Sequence, residues 1–236
     1  MFTGIDKVKS YMKNAKYEFL SSNLVNEKSG KPIFKDHVII TEKVDKVGKM
    51  KIGVIGFTRY VASMWDVDDG TRIKVADYYI KIAKDLVPTL QKKTDMIIAL
   101  VHMTQADAQQ LAKEVPGIDV ILGSYGSERT QTPLKVNNTF IAYSGYQGKG
   151  LGEARIFIDK KKKITDFKDD YIILTKDYPD DTEMLAFVND VQQKAAEYQK
   201  QKQEEQRKAT QPPPPAQPPD QPSTTQAAPE ETNPPH

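Results

Sequence analysis

Apolar residues recur along this chain in two rhythms, and both are clearest between Asp95 and Gly126, DMIIALVHMTQADAQQLAKEVPGIDVILGSYG. Met96–Val101 is an unbroken apolar run of strand length that gives out on His102. Ala108, Leu111, Ala112 and Val115 then fall at helical spacing. Thr104 stands where a hydroxyl caps the first turn, and Asp107 places an acid at the positive helix end. Pro116-Gly117 stops the helix, and Ile118–Leu122 predicts a second buried strand before Gly123. The unit is therefore strand, helix, strand, with a polar residue where the first strand ends. In parallel sheets chemistry gathers at such carboxyl ends, which makes His102 a candidate site residue.

The same rhythms extend to either side. Ile5, Val8, Tyr11 and Met12 predict a short amphipathic helix, and Tyr17–Leu20 a strand closing on Ser21-Ser22-Asn23. His37–Val44 alternates around Val38 and Ile40, and Gly48 turns it into the buried run Met50–Phe57 as a hairpin. Arg59–Thr71 is polar and carries Trp65, the only tryptophan, with Asp66, Asp68 and Asp69. Val75–Leu90 predicts a long helix with Ile80, Ala83, Leu86 and Leu90 inward and Pro88 bending or ending it. Phe140–Ser144, Glu153–Ile158 and Phe167–Leu174 predict three more strands. Glu183–Lys208 predicts a helix that docks through Leu185, Val188 and Val191 and projects into solvent beyond Gln192.

Composition changes sharply near Ala209. Ten of the 15 prolines fall in the last 26 residues, which hold no aromatic side chain. Such a segment buries too little to offset ordering entropy and predicts a disordered, partly polyproline-II spacer. Charge singles out no partner: 34 Lys and Arg stand against 32 Asp and Glu, with no concentrated basic face of the kind nucleic acid requires. The absence of cysteine removes disulfides and thiolate metal sites. The opening MFTGIDKVKSYMK has no apolar core of signal-peptide length, and no run reaches membrane-spanning length.

Other candidate chemistry is sparse. His37 begins an exposed strand and His236 ends the tail. Asp66, Asp68 and Asp69 lack the spacing and closing glutamate of a calcium loop. Gly145, Gly148, Gly150 and Gly152 precede no helix, so they predict a turn rather than a phosphate cradle. Lys160–Lys163 predicts a solvated hairpin tip.

In order along the chain, YEFLSSNL (17–24), KIGVIGFT (51–58), ALVHM (99–103), AKEVPGIDVILGS (112–124) and FIAYSGYQGKGLGEARIFI (140–158) resemble segments of a calcineurin-like metallophosphoesterase domain of the 5′-nucleotidase type. The resemblance covers about residues 1–175 and corresponds to the C-terminal part of that domain. It implies a layered α/β sandwich with a mixed sheet, followed by the projecting helix and the disordered tail. The expected divisions are 1–180 for the partial domain, 181–208 for the helix and 209–236 for the Pro-rich linker. It also implies that missing strands lie beside 52–57 and 96–101, leaving one of those runs at an open edge that promotes self-association.

The family's chemistry is phosphomonoester hydrolysis in nucleotide catabolism with two divalent metal ions. Its Asp-x-His, Gly-Asp and Gly-Asn-His-Glu motifs are not found in 1–236. At its Gly-His-x-His position stand Gly123, Ser124, Tyr125 and Gly126. Only His102 matches a ligand position, as a relic. Two cations about 3.5–4 Å apart are needed to bind phosphoryl oxygens and acidify the attacking water. The resemblance therefore implies a chain that is inactive alone and holds no cofactor. Its expected partner is a missing N-terminal half or a linked downstream domain, with no nucleic acid and no membrane span. The alternative is a non-catalytic binding or scaffolding module tethered by the Pro-rich linker. Family members often work in the periplasm or outside the cell, although no signal peptide is expected here.

Overall fold

A computed structural model describes residues 5–59 and 73–210. Trp65, the Asp66–Asp69 acids, His236 and the Pro-rich segment lie outside the described residues. Contacts divide the chain into two units, 1–178 and 179–236.

The first unit is organised by a six-stranded mixed sheet. Strands β3 (Gly48–Thr58), β5 (Met96–His102), β6 (Val120–Gly123) and β8 (Thr139–Tyr143) run parallel. Strand β2 (His37–Val44) borders β3 antiparallel at one edge, and β7 (Leu134–Val136) borders β8 antiparallel at the other. Helices α2 (Tyr79–Gln91) and α3 (Gln105–Glu114) connect β3 to β5 and β5 to β6. Helix α1 (Ile5–Met12), the short pair β1 (Leu24–Asn26) and β4 (Ile73–Val75), and the hairpin β9 (Gly150–Ile158) and β10 (Ile164–Ile173) complete the unit. The expected mixed α/β sheet is present.

Strand alternation sorts the core into two faces. Ile55, Phe57, Ile97, Ala99, Val101, Ile121 and Ile141 meet Ala83, Val87 and Leu90 of α2 and Ala108, Leu111 and Ala112 of α3. On the opposite face Val120 and Ala142 pack against Phe167 of the β9–β10 hairpin, with Phe140 stacked on Phe167 at 5.0 Å. The central unit follows the sequence pattern closely: Thr104 Oγ1 accepts from the Asp107 amide at 3.2 Å, and Gly117 leaves the helix at φ +106°.

Four expectations are corrected. Tyr17–Leu20 forms no strand: Leu20 makes one bridge to Lys35, and two residues later the Ser22 amide donates to the Gly56 carbonyl at 2.7 Å. Its aromatic residues stack on one another instead, Tyr17 on Phe19 and Phe19 on Phe34. The helix expected from Val75 starts at Tyr79, because Val75 ends β4 and the Ala76 amide donates to the Asn23 carbonyl. Pro88 does not end that helix, which runs to Gln91. Finally, the apolar runs 52–57 and 96–101 are both internal to the sheet, and the edges are β2 and β7.

The Lys160–Lys163 tip is a turn with Lys160, Lys161 and Lys163 exposed, as expected, while Lys162 is half-buried. Lys162 Nζ lies 2.8 Å from Asp95 Oδ2, and that oxygen also accepts from the Lys51 amide at 2.8 Å. Hydrogen bonding to Lys162, then to the Lys51 amide, holds the Asp95 carboxyl below the usual aspartate range. The stabilisation it adds is complete above that range and is lost as pH falls through the depressed value. Lys162→Met should therefore cost about 1 kcal/mol at neutral pH. In melts at successively lower pH, the gap between wild type and variant should close once Asp95 protonates.

The second unit contains α4 (Thr182–Thr210). Its apolar residues Met184, Leu185, Phe187, Val188 and Val191 are all exposed.

Candidate functional site

The carboxyl ends of the four parallel strands bring one row of polar side chains together. Thr58 closes β3 in register with His102 of β5. Ser124 and Ser144 follow Gly123 and Tyr143, which are themselves in register. All four lie on the hairpin side of the sheet and line a cleft of about 390 Å³ with Leu100 and Leu122. The row holds three hydroxyls and one imidazole, and among the described residues no carboxylate lines the cleft.

On the helix side an arginine organises the same end of the sheet. The Arg59 amide donates to the His102 carbonyl at 2.9 Å. Its Nη1 donates to the Tyr125 hydroxyl at 3.2 Å, its guanidinium carbon stands 5.5 Å from that ring centroid, and its Nε lies 3.6 Å from Asp107 Oδ2. The Tyr125 ring meets the His102 ring edge-on at 5.4 Å. Asp107 is also held by the Thr104 hydroxyl at 2.7 Å. The Gln105 amide, an orphan donor at the start of α3, is taken by Glu128 Oε2 at 2.7 Å. The positive end of α3 is thus occupied by the chain's own acids.

Tyr143 anchors the loop between these features. Its hydroxyl donates to the carbonyls of Met103 at 2.8 Å and Thr104 at 3.0 Å. Burial, then the nearby Glu128 and Asp107 charges, push the phenol far above its ordinary range, so it remains a neutral donor.

A dinuclear metal centre does not fit these residues. Among the described residues no three His, Cys, Asp or Glu side chains come together in a group able to hold an ion. His102 is a single imidazole, Ser124 and Tyr125 offer hydroxyls, and Asp107 is committed to Arg59 and Thr104. His37, expected at the surface, is half-buried at the start of β2 beside the Asp36 carboxylate, paired with Ile55 and so three residues from Thr58 in register, and it does not line the cleft. Gly145 and Gly148 form a turn between β8 and β9, as expected, whereas Gly150 and Gly152 lie within β9.

No family model matches the chain. A 2′,3′-cyclic-nucleotide 2′-phosphodiesterase/3′-nucleotidase of Yersinia enterocolitica is 30% identical over 147 residues, 56% of this chain and 22% of that protein. The snake venom 5′-nucleotidase of Crotalus adamanteus is 25% identical over 208 residues, 80% of this chain and 35% of the enzyme. The chain is a relative of the 5′-nucleotidase-type phosphoesterases. It shares its fold with the calcineurin-like phosphoesterase YfkN of Bacillus subtilis at a TM-score of 0.69 and 22% identity, over 83% of this chain and 67% of that one. It spans about a fifth to a third of the curated 5′-nucleotidase and 3′-nucleotidase relatives above. Among the described residues no helix is long and apolar enough to cross a membrane.

Within this 5′-nucleotidase relative, sequence reasoning found His102, Ser124 and Tyr125 but missed Arg59, Glu128 and Tyr143. Glu128 and Tyr143 act across 23 and 39 or more residues on the same loop. One signal was available: Gly123 and Tyr143 are the smallest and largest residues of paired strand ends, a complementarity that appears once the pairing is known.

Proposed function

We propose that this chain is a phosphoesterase-derived module that does not hydrolyse phosphomonoesters by itself and works beside further polypeptide of the kind its longer relatives carry. One observation supports it above others: where paired cations would be needed, the strand ends present the hydroxyls of Thr58, Ser124 and Ser144 and the single imidazole of His102. Hydroxyls and one imidazole neither bind two divalent ions nor acidify a water. The Arg59–Tyr125–Asp107 cluster favours a non-catalytic module over an enzyme fragment awaiting completion. Supplying missing ligands from elsewhere would leave Ser124, Tyr125 and the guanidinium in place.

The test is calorimetric titration of the full chain with Mn²⁺, alongside hydrolysis of a generic phosphomonoester. Expected are no saturable two-ion uptake and turnover no faster than buffer. Two ions bound per chain, with turnover abolished in His102→Ala, would overturn the proposal.

A further inference from the structure

We propose that the end of the sheet opposite the polar row is a lysine face that holds the protein against an anionic lipid bilayer. The stretches 42–51, 91–95 and 159–163 contain ten lysines and four acids, whereas the whole chain carries an excess of only two positive charges. Sequence alone hides this concentration, because the lysines come from three separated stretches. Register brings them together. Strands β3 and β5 run parallel and close on Thr58 and His102, so Lys49 and Lys51 stand at the opposite, amino end. Lys43 pairs with Lys49 across the β2–β3 hairpin, and Lys46 lies in its turn. The exit of α2 places Lys92 and Lys93 just before Asp95, whose amide donates to the Lys51 carbonyl at 2.7 Å. The β9–β10 tip reaches the same aspartate through Lys162 and brings Lys160, Lys161 and Lys163 with it.

The nearby acids are engaged by the chain's own amides. Asp95 holds the Lys51 amide and the Lys162 ammonium. Asp159 Oδ1 accepts from the Lys161 and Lys163 amides at 2.8 Å each, and Asp119, ahead of β6, accepts from the Ile97 amide at 2.8 Å. Lys162 aside, every one of these lysines is exposed, and none forms an ion pair within the described residues. The arrangement costs stability. Lys43 and Lys49 are like charges directly opposite one another. Lys46 and Lys162 hold φ of 60° and 63°, a region that suits glycine or asparagine better. Water and salt only screen such repulsion, whereas an anionic surface turns it into attraction. The chemistry selects a bilayer over nucleic acid. The three stretches contain no arginine and no aromatic residue. Arginine supplies the planar fork that grips phosphate in nucleic acid, and aromatic rings supply the platforms on which bases stack. Ammonium groups on flexible stems suit a diffuse plane of anionic headgroups, where each lysine near the surface adds its own attraction. Held this way, Thr58 and His102 lie at the end of the sheet away from the lipid.

The experiment sediments the full chain with vesicles of phosphatidylcholine, alone or with phosphatidylglycerol as a third of the lipid. Binding is expected to the mixed vesicles only. It should weaken at least about tenfold between roughly 0.05 and 0.5 M salt, as the screening length falls about threefold. The triple variant Lys160→Gln, Lys161→Gln, Lys163→Gln should weaken it at least about thirtyfold, and Lys92→Gln with Lys93→Gln, on a different element, at least about tenfold. Both variants should melt with the wild type, since the side chains they change are exposed and outside any ion pair. The same loss of charge at Lys13, Lys28 and Lys31, exposed in other segments of this unit, should weaken binding less than about threefold. Equal binding to both kinds of vesicle overturns the proposal. Equal effects of the two triple variants also overturn it, by making total charge rather than this face the cause. A duplex DNA that displaces the protein from mixed vesicles at equal phosphate concentration, and is itself bound through Lys160, Lys161 and Lys163, gives the face to nucleic acid and overturns it too. Neither metal uptake nor hydrolysis bears on these outcomes.

Discussion

Gly123→Ala should lower the melting temperature by roughly 6–12 °C, the largest effect expected of any single methyl group in this protein. A Cβ at Gly123 would lie 2.2–2.5 Å from the Cζ and Cε atoms of Tyr143. That ring has nowhere to go: Tyr143 is 2% exposed and its hydroxyl is fixed to two carbonyls of the β5–α3 loop. Overpacking of this kind costs about 3 kcal/mol, and here it also pulls on the loop that carries Met103 and Thr104. The check is a double-mutant cycle by thermal melts. In a Tyr143→Leu background the added methyl should cost less than about 1 kcal/mol, because the clash disappears with the ring. If Gly123→Ala costs the same in both backgrounds, the close approach of the ring is not what excludes a side chain at 123.

Asn23→Leu should destabilise by on the order of 3 kcal/mol or more, although the new side chain is apolar and of similar size. Asn23 is fully buried. Its amide donates to the carbonyls of Thr58 at 2.7 Å and Ala76 at 3.1 Å, and its Oδ1 accepts from the Thr58 amide at 2.9 Å. Leucine would leave three backbone groups without partners in a water-poor interior, and the unpaired groups rather than lost volume set the cost. Denaturant unfolding of the variant should show a lower midpoint with an unchanged slope. A cost below about 0.5 kcal/mol would mean that Thr58 and Ala76 find other partners. The effect should reach the site, since Thr58 and Arg59 are the residues this asparagine holds at the end of β3.

The fold was legible in the sequence wherever the information was local. The 95–126 unit needed only a capping threonine, a helical stripe and a Pro-Gly stop. The hairpin of β2 and β3 needed only alternation and a glycine. Legibility failed where pairing joins distant residues. Strands β1, β4 and β7 have three residues each, too few for a period to show. Val75 and Ala76 continue a helical stripe and were assigned to the helix, whereas a contact with Asn23, about 50 residues away, places them in extended chain. The order of strands is likewise non-local: β2 and β7 reach the edges because β3, β5, β6 and β8 lie between them. At the site, the strand-end residues were found because each ends an apolar run. Arg59 and Glu128 sit in polar stretches, where nothing in composition distinguishes an anchoring charge from a solvated one.

Because β3 and β5 are flanked on both sides, their amides are the least able to open without breaking the whole sheet. Strand β2, with one neighbour, and the separate β9–β10 ribbon can detach at lower cost. Thr58 and His102 therefore stand on the slowest-breathing part of the sheet, while the edge strand β2 and the β9–β10 ribbon belong to its faster-breathing part.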